Sequence, residues 1–296
     1  MKGDMTTARM KGKVCLVTGA NSGIGKETCV ALAGMQAHVV MVARDAVRGE
    51  AARDEVRARS GNPDVELMLA DFAYQASVRR LAADFQRIHG RLDVLVNNAG
   101  ALFTQRSVTV DGVERTFAVN HLSAFLLTNL LLDVLRAGAP SRIVNVASRA
   151  HRRGGPLDFD DLQSTRRYVP FRVYGRSKLA NILFTQELAR RLAGTAVTVN
   201  ALHPGVVRTG FAQGQNGLTG VFFRLLRPFM LDARQGAETV VYLASSSEVE
   251  GITGGYFANK RLVEPHPRAR DVASARRLWE VSAALTEKSV AEPPAR

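Results

Sequence analysis

Cysteine is scarce in this 296-residue chain: Cys15 and Cys29 are the only two. Cys15 lies in a strand-like run and Cys29 in a helix-like run, where small apolar residues are common. Both read as buried thiols in a reducing, cytoplasmic setting, which excludes a disulfide-built scaffold. Long hydrophobic runs are missing as well. None approaches the roughly 20 residues of a membrane-spanning helix. No apolar segment follows Lys2, Arg9 and Lys11 before the first strand-like run, which argues against a signal peptide. Acidic residues are outnumbered, 27 against 40 Lys and Arg, for a formal net charge of +13. Such an excess can serve nucleic acid or anionic lipid. Here the arginines are scattered through helix-like segments with no aromatic-interleaved basic motif, so a solvated surface is expected and no nucleic-acid partner.

What the chain does have is apolar material, 46% of its residues, in short regular pieces. Nearly continuous apolar runs at 13–18, 37–42, 65–70, 94–97, 142–147, 197–201 and 255–258 predict strands. Unbroken rather than alternating runs are expected when helices cover both faces of a parallel sheet. Helical periodicity fills 23–35, 46–60, 76–89, 112–136, 175–192 and 233–244. Strand–helix alternation of this kind implies right-handed crossovers and a doubly wound α/β sheet. No linker divides it, so one domain over 11–285 is expected, followed by a flexible tail at 286–296 that ends in Glu292-Pro293-Pro294.

The first strand runs into Thr18-Gly19-Ala20-Asn21-Ser22-Gly23-Ile24-Gly25 and then a helix. Gly19 permits the turn off the strand, Gly23 a close backbone approach by a pyrophosphate, and Gly25 close packing of the helix. A diphosphate would sit at the helix N-terminus on backbone N–H groups of this loop, the Rossmann arrangement for a dinucleotide. The spacing differs from G-x-G-x-x-G, so its position between strand and helix carries the reading. The second strand ends Ala43-Arg44-Asp45. Ala43 stands where a ribose-binding acid would, and the Arg44 guanidinium suits a 2′-phosphate, which points to NADP(H). Asp45 suits the N-cap of the next helix. Asp71, followed by Phe72, either accepts from an adenine amino group or caps a helix. In Asn97-Asn98-Ala99-Gly100 small residues let a ribose lie against the backbone while the Asn side chains brace neighbouring strands.

Tyr174 and Lys178 are four apart at the start of a helical pattern and so share a face. An ammonium beside a phenol lowers its pKa towards the range useful for proton transfer. Ser148, ending the fifth strand, can hold a substrate oxygen beside the Tyr hydroxyl, and Lys178 can also bind the nicotinamide ribose. Hydride transfer of this kind needs no metal, and His121 and His151 lack ligand partners in the sequence. Pro204-Gly205-Val206-Val207-Arg208-Thr209 follows the sixth strand. It reads as a turn over the nicotinamide, Val207 lining it and the Thr209 hydroxyl on its carboxamide, or as a backbone turn alone. The segment 218–231 has many large apolar residues, with Arg224 and Arg227 among them, and reads as a substrate lid, a membrane contact or a subunit interface.

These motifs, from the glycine loop through Asn97–Gly100 and Ser148 to Tyr174-Gly175-Arg176-Ser177-Lys178 and Pro204-Gly205, resemble the short-chain dehydrogenase/reductase family. Val119-Asn120-His121-Leu122, Asn145-Val146-Ala147-Ser148-Arg149-Ala150-His151 and Ser177-Lys178-Leu179-Ala180-Asn181 resemble its retinol-dehydrogenase-like branch. The resemblance implies a seven-stranded parallel sheet and a catalytic Asn120, Ser148, Tyr174 and Lys178, with Asn120 positioning a water that connects Lys178 to solvent. It also implies a homodimer paired through the Tyr174 helix, and a hydrophobic aldehyde, ketone or alcohol substrate, retinal-like or lipid-derived. Two alternatives stay open: an NADPH reductase of a steroid, polyketide or tetrapyrrole, and a non-catalytic NADP(H)-sensing protein.

Overall fold

The apolar runs become buried strands because helices pack on both sides of them. The computed structural model describes residues 9–205 and 232–287. Its strands are β1 (Val14–Thr18), β2 (His38–Ala43), β3 (Val65–Leu69), β4 (Val94–Asn97), β5 (Ser141–Val146), β6 (Val197–His203), β7 (Tyr256–Ala258) and β8 (Arg261–Leu262). They lie in the order β3-β2-β1-β4-β5-β6-β7-β8. The first seven are parallel, as expected. The eighth pairs antiparallel with β7 and corrects the expected count of seven. Asn259 and Lys260 between them both have positive φ, the geometry of a two-residue hairpin turn. Two exposed residues carry too little pattern to announce a strand.

Side-chain alternation assigns the two faces. Cys15 and Val17 of β1 and Val39 and Met41 of β2 join one core with Cys29, Leu32 and Ala33 of α1 (Gly23–Gly34) and Val56 of α2 (Ala46–Ser60). Leu16, Val40 and Val42 point the other way. They meet Leu81 and Phe85 of α3 (Gln75–Ile88). Both cysteines are free and fully buried, and burial pushes both thiols up.

The helix expected over 112–136 is broken. Gly112 turns with positive φ, and Glu114 caps a short α4 (Arg115–Phe117) by accepting from Thr116 N and Phe117 N. The chain then widens into a π-helical turn over Ala118–Leu122 before α5 (Ser123–Leu130), and breaks again at Leu131 before α6 (Leu132–Ala137). Hydrophobic periodicity cannot distinguish a π turn from an α turn over five residues. Helix α7 (Pro170–Arg191) starts earlier than expected, with Pro170 in its first turn. Helix α8 (Ala233–Ser245) closes the first core. Helix α9 (Val272–Glu287) was not among the expected helices. It continues past residue 285, the expected end of the domain, with Thr286 buried. Val207, Thr209 and the segment 218–231 lie outside the described residues.

Candidate active site

Parallel strands bring the carboxyl ends of β1, β2, β4, β5 and β6 to one edge of the sheet, where an open α/β sheet binds ligands. The glycine loop leaves β1 there. Gly19 and Gly23 have φ of 65° and 56°, so both turns depend on glycine. A Cβ on Gly25 would stand 2.3 Å from Gly19 O, and one on Gly19 would stand 3.0 Å from Ala99 Cα. Ser22 is the N-cap of α1 but makes no side-chain cap bond, which leaves the first-turn N–H groups available to a ligand. Ile24 packs inward on the core. Asn98 braces the loop, its amide donating to Thr18 O at 2.8 Å and Gly19 O at 3.1 Å. Thr18 Oγ1 accepts from Asn98 N and Ala99 N, both at 3.0 Å.

At the end of β2, Ala43 is buried and Arg44 exposed. Asp45 caps α2 by accepting from Arg48 N at 2.8 Å, the role its position suggested. Asp71 accepts from Ala73 N at 2.9 Å, a turn-forming bond, and Phe72 packs on the second core. Gly205 has φ of 90° and donates from its N–H to His203 Nδ1 at 3.2 Å.

Ser148 follows β5, and its side chain interacts with Tyr174, lowering the Tyr174 pKa. Two glycines bring these residues together. A Cβ on Gly175 would meet Ala150 O at 2.6 Å, and one on Gly154 would meet Arg176 N at 2.5 Å. Backbone therefore lies on backbone where α7 closes over the segment after Ser148. His151 fixes that segment: its Nδ1 donates to Ser148 O at 2.7 Å, and its Nε2 accepts from His266 N at 3.1 Å.

Lys178 is buried, with its ammonium 5.7 Å from the centre of the Tyr174 ring. The two share a face, as their spacing required. The expected lowering of Tyr174 by Lys178 is not found. Burial pushes Tyr174 up to about 12, against the opposing effect of the Ser148 bond, and burial lowers Lys178 to about 8. The reason is geometric: the ammonium donates to Val146 O at 2.9 Å and lies by the ring rather than at the hydroxyl.

Asn120 sits in the π-helical turn. Its amide donates to Ala101 O at 2.9 Å and Ser177 Oγ at 3.0 Å, and its Oδ1 accepts from Ala101 N at 2.8 Å. Its backbone carbonyl accepts from Asn181 Nδ2 at 2.9 Å. Asn120 thus pins the loop that carries Gly100. A Cβ on Gly100 would stand 3.2 Å from Lys178 Nζ and 3.3 Å from Asn120 Oδ1, so this side of the site needs glycine.

Beneath these residues runs a buried polar ladder, of which the sequence reading expected only the bracing of neighbouring strands by Asn97. Asn97 Nδ2 donates to Thr128 Oγ1 and Asn145 Oδ1. Asn145 Nδ2 donates to Thr185 Oγ1, and the Thr185 hydroxyl donates to Asn181 O. Asn181 Oδ1 accepts from His121 Nδ1 at 3.3 Å, so His121 Nε2 accepts from Ser282 Oγ at 3.0 Å. Burial lowers His121 to about 4 and keeps it neutral. A signal existed: Ser177, Asn181 and Thr185 stand at i, i+4 and i+8 on a buried helix.

Comparison with known proteins agrees with this geometry. The family model described as short chain dehydrogenase matches residues 13–217. Human Retinol dehydrogenase 12 is 44% identical over 280 residues, covering 95% of this chain and 88% of its own length. Among solved structures, an uncharacterized protein from Mycobacterium paratuberculosis superposes with a TM-score of 0.76 at 34% identity, with 94% of each chain covered. A short chain dehydrogenase from Burkholderia cenocepacia J2315 in complex with NADP gives 0.67 at 28% identity, covering 84% of this chain and 96% of its own. The glycine loop, the Ser148–Tyr174 pair and these likenesses agree: the chain belongs to the short-chain dehydrogenase/reductase family of oxidoreductases, in its retinol-dehydrogenase-like branch.

Proposed function

We propose that the protein is an NADP(H)-dependent oxidoreductase that moves a hydride between the nicotinamide and the carbonyl or alcohol carbon of a hydrophobic aldehyde, ketone or alcohol. The observation that carries the reading is Ser148 beside Tyr174 with the buried Lys178 ammonium at the Tyr174 ring, on the sheet edge that holds the glycine loop. The cofactor fits what is there. Gly19, Gly23 and Gly25 leave a cradle that a Cβ would fill or strain, and the first turn of α1 offers uncapped N–H groups. Asn21, Ser22 and Ile24 complete that loop, and Asp71, Phe72, Asn98, Ala99, Gly100, Pro204 and Gly205 border the same edge. Arg44 would take the 2′-phosphate: among the described residues no ion pair or hydrogen bond ties its guanidinium, whereas Asp45 is engaged as a cap. Likeness to a short chain dehydrogenase in complex with NADP supports that choice.

When bound, the nicotinamide supplies or accepts the hydride. Ser148 holds the substrate oxygen beside the Tyr174 hydroxyl. In the reducing direction Tyr174 donates its proton to that oxygen. With its pKa raised, Tyr174 is protonated at neutral pH and ready as the acid. Lys178, its ammonium held on Val146 O beside the Tyr174 ring, would bind the nicotinamide ribose. Asn120 keeps the Gly100 loop against Lys178. A retinal-like or lipid-derived substrate rests on the likeness to Retinol dehydrogenase 12. No helix among the described residues is long and apolar enough to cross a membrane. A cytoplasmic location and a homodimer paired through α7 belong to the same proposal.

The test is loss of reduced-nicotinamide absorbance with NADPH or NADH and a panel of aliphatic, aromatic and isoprenoid carbonyls. Turnover that prefers NADPH, disappears in Tyr174→Phe and loses cofactor affinity in Arg44→Ala supports the reading. A preference for NADH overturns the role of Arg44. Cofactor binding without turnover on any carbonyl overturns the enzyme.

A further inference from the structure

At the opposite edge of the sheet, three side chains from three elements converge. His38 opens β2, the strand whose other end leads to Arg44. Val40, two residues on and on the same face, is the register partner of Glu66 in β3. His89 caps the end of α3, its ring 4.7 Å from that of Phe85. His38 Nε2 lies 3.2 Å from Glu66 Oε1, and His89 Nε2 lies 3.3 Å from Glu66 Oε2. Candidate ligand atoms of the three residues all fall within 4.8 Å of one another.

The contacts do not have hydrogen-bond direction. Both Nε2 atoms are buried and have no hydrogen-bond partner. The side chains of His38 and His89 are only 18% and 10% exposed. A buried ring nitrogen 3.2–3.3 Å from a carboxylate oxygen, yet not aimed at it, is unusual for an ion pair. It is what two ligands of one ion look like: tetrahedral bonds of about 2.0–2.1 Å put neighbouring ligand atoms roughly 3.3 Å apart. The other nitrogen of His38 supports this. His38 Nδ1 is 2.5 Å from Asp64 Oδ1. A carboxylate only accepts, so Nδ1 donates, which leaves the Nε2 lone pair of the neutral ring for an ion. That is the carboxylate–histidine arrangement that orients metal-bound imidazoles.

We infer that His38, Glu66 and His89 bind one divalent transition-metal ion of zinc-like chemistry, with Asp64 orienting His38. Two imidazoles favour Zn2+, Co2+ or Ni2+ over Mg2+ or Ca2+. Glu66 and Asp64 make the cluster locally negative in a chain of net charge +13. The buried, protonated thiols of Cys15 and Cys29 do not compete for the ion. The ion would tie the end of α3 to β2 and the edge strand β3, far from the glycine loop, and so add stability in proportion to its occupancy.

The experiment titrates Zn2+ into the chelator-treated full-length protein against a chromogenic chelator, with thermal unfolding in parallel. One equivalent bound, a raised melting temperature reversed by EDTA, and the visible spectrum of tetrahedral Co2+ after substitution are expected. His89→Ala should abolish the saturable equivalent, and Asp64→Asn should weaken it about 10–100-fold. Circular dichroism without metal shows whether His89→Ala folds; where it does not, the exposed Asp64→Asn decides. No equivalent bound by the wild type overturns the site. So does binding that survives His89→Ala, or Asp64→Asn affinity equal to wild type.

Discussion

Along the cofactor edge, the loop after β1 is shaped by backbone, and the region under β4 and β5 by side chains. In the first, glycines at 19, 23 and 25 remove Cβ atoms and no side chain caps the helix. In the second, Asn97, Asn145, Thr185 and Asn181 hand hydrogen bonds from the sheet to α7. A phosphate needs several N–H donors at close range, which backbone supplies wherever Cβ atoms are absent. A hydride and a proton need a few atoms held within tenths of an ångström, which calls for side chains locked by a second layer of polar contacts. The comparison predicts that nucleotide affinity and chemical geometry are separable in this molecule.

Five measurements sharpen or break that separation. Tyr174→Phe should lower kcat about 10²–10⁴-fold while leaving NADPH affinity intact. An equal loss of affinity would join the two regions. Next comes pH. Lys178 has a folded pKa of about 8 against an ordinary 10.5, so above pH 8 the folded protein releases a proton that the unfolded chain keeps. Its contribution to stability therefore rises with pH from 8 to 10.5, by about 3 kcal/mol, and is lost as pH falls through 8. Urea unfolding of Lys178→Met across this window should lack the rise. Tyr174 acts in the opposite sense: its contribution is present below pH 10 and lost as pH rises through 12. Gly25→Ala forces a Cβ onto Gly19 O and should destabilise by about 1–3 kcal/mol while removing nucleotide binding, read by calorimetry. Asn145→Ala leaves Asn97 and Thr185 short of a partner, for a loss of about 1–3 kcal/mol in unfolding experiments. NADPH affinity should survive it, and a collapse would break the comparison. Smallest is Arg44→Ala, with KM for NADPH raised roughly tenfold, about 1.4 kcal/mol, and kcat unchanged.

The two regions were not equally legible in the sequence. The strands and the glycine loop announce themselves locally, as apolar runs and as three glycines between a strand and a helix. Tyr174 and Lys178 do so through i, i+4 spacing. The π-helical turn around Asn120 does not, because a turn of five residues leaves the periodicity intact. Beyond the bracing by Asn97, the ladder was hidden for another reason. Asn97 and Asn145 are 48 residues apart, and polar residues inside buried strands read as blemishes until the facing helix is in place. The His38–Glu66–His89 cluster is likewise assembled only by β2–β3 register and the end of α3. Even the mutual effect of Tyr174 and Lys178, right in its geometry, was wrong in direction because spacing says nothing about burial.

The C-terminal helix adds a matter of timing. Trp279 of α9 lies under the Arg191 guanidinium, and Ser282 is bonded to His121, 161 residues away. Gln75 Nε2 donates to Leu285 O across 210 residues, and Arg79 donates to Thr286 O. Synthesis runs from the amino end, so the nucleotide loop and Tyr174 emerge from the ribosome well before the residues that clasp α5 and α7 into place. His121, in the π-helical turn with Asn120, meets its Ser282 partner only once nearly the whole chain is made. A nascent chain released at Arg191 would carry the proposed nucleotide loop, Tyr174 and Lys178, but neither β6 nor the clasp of α9.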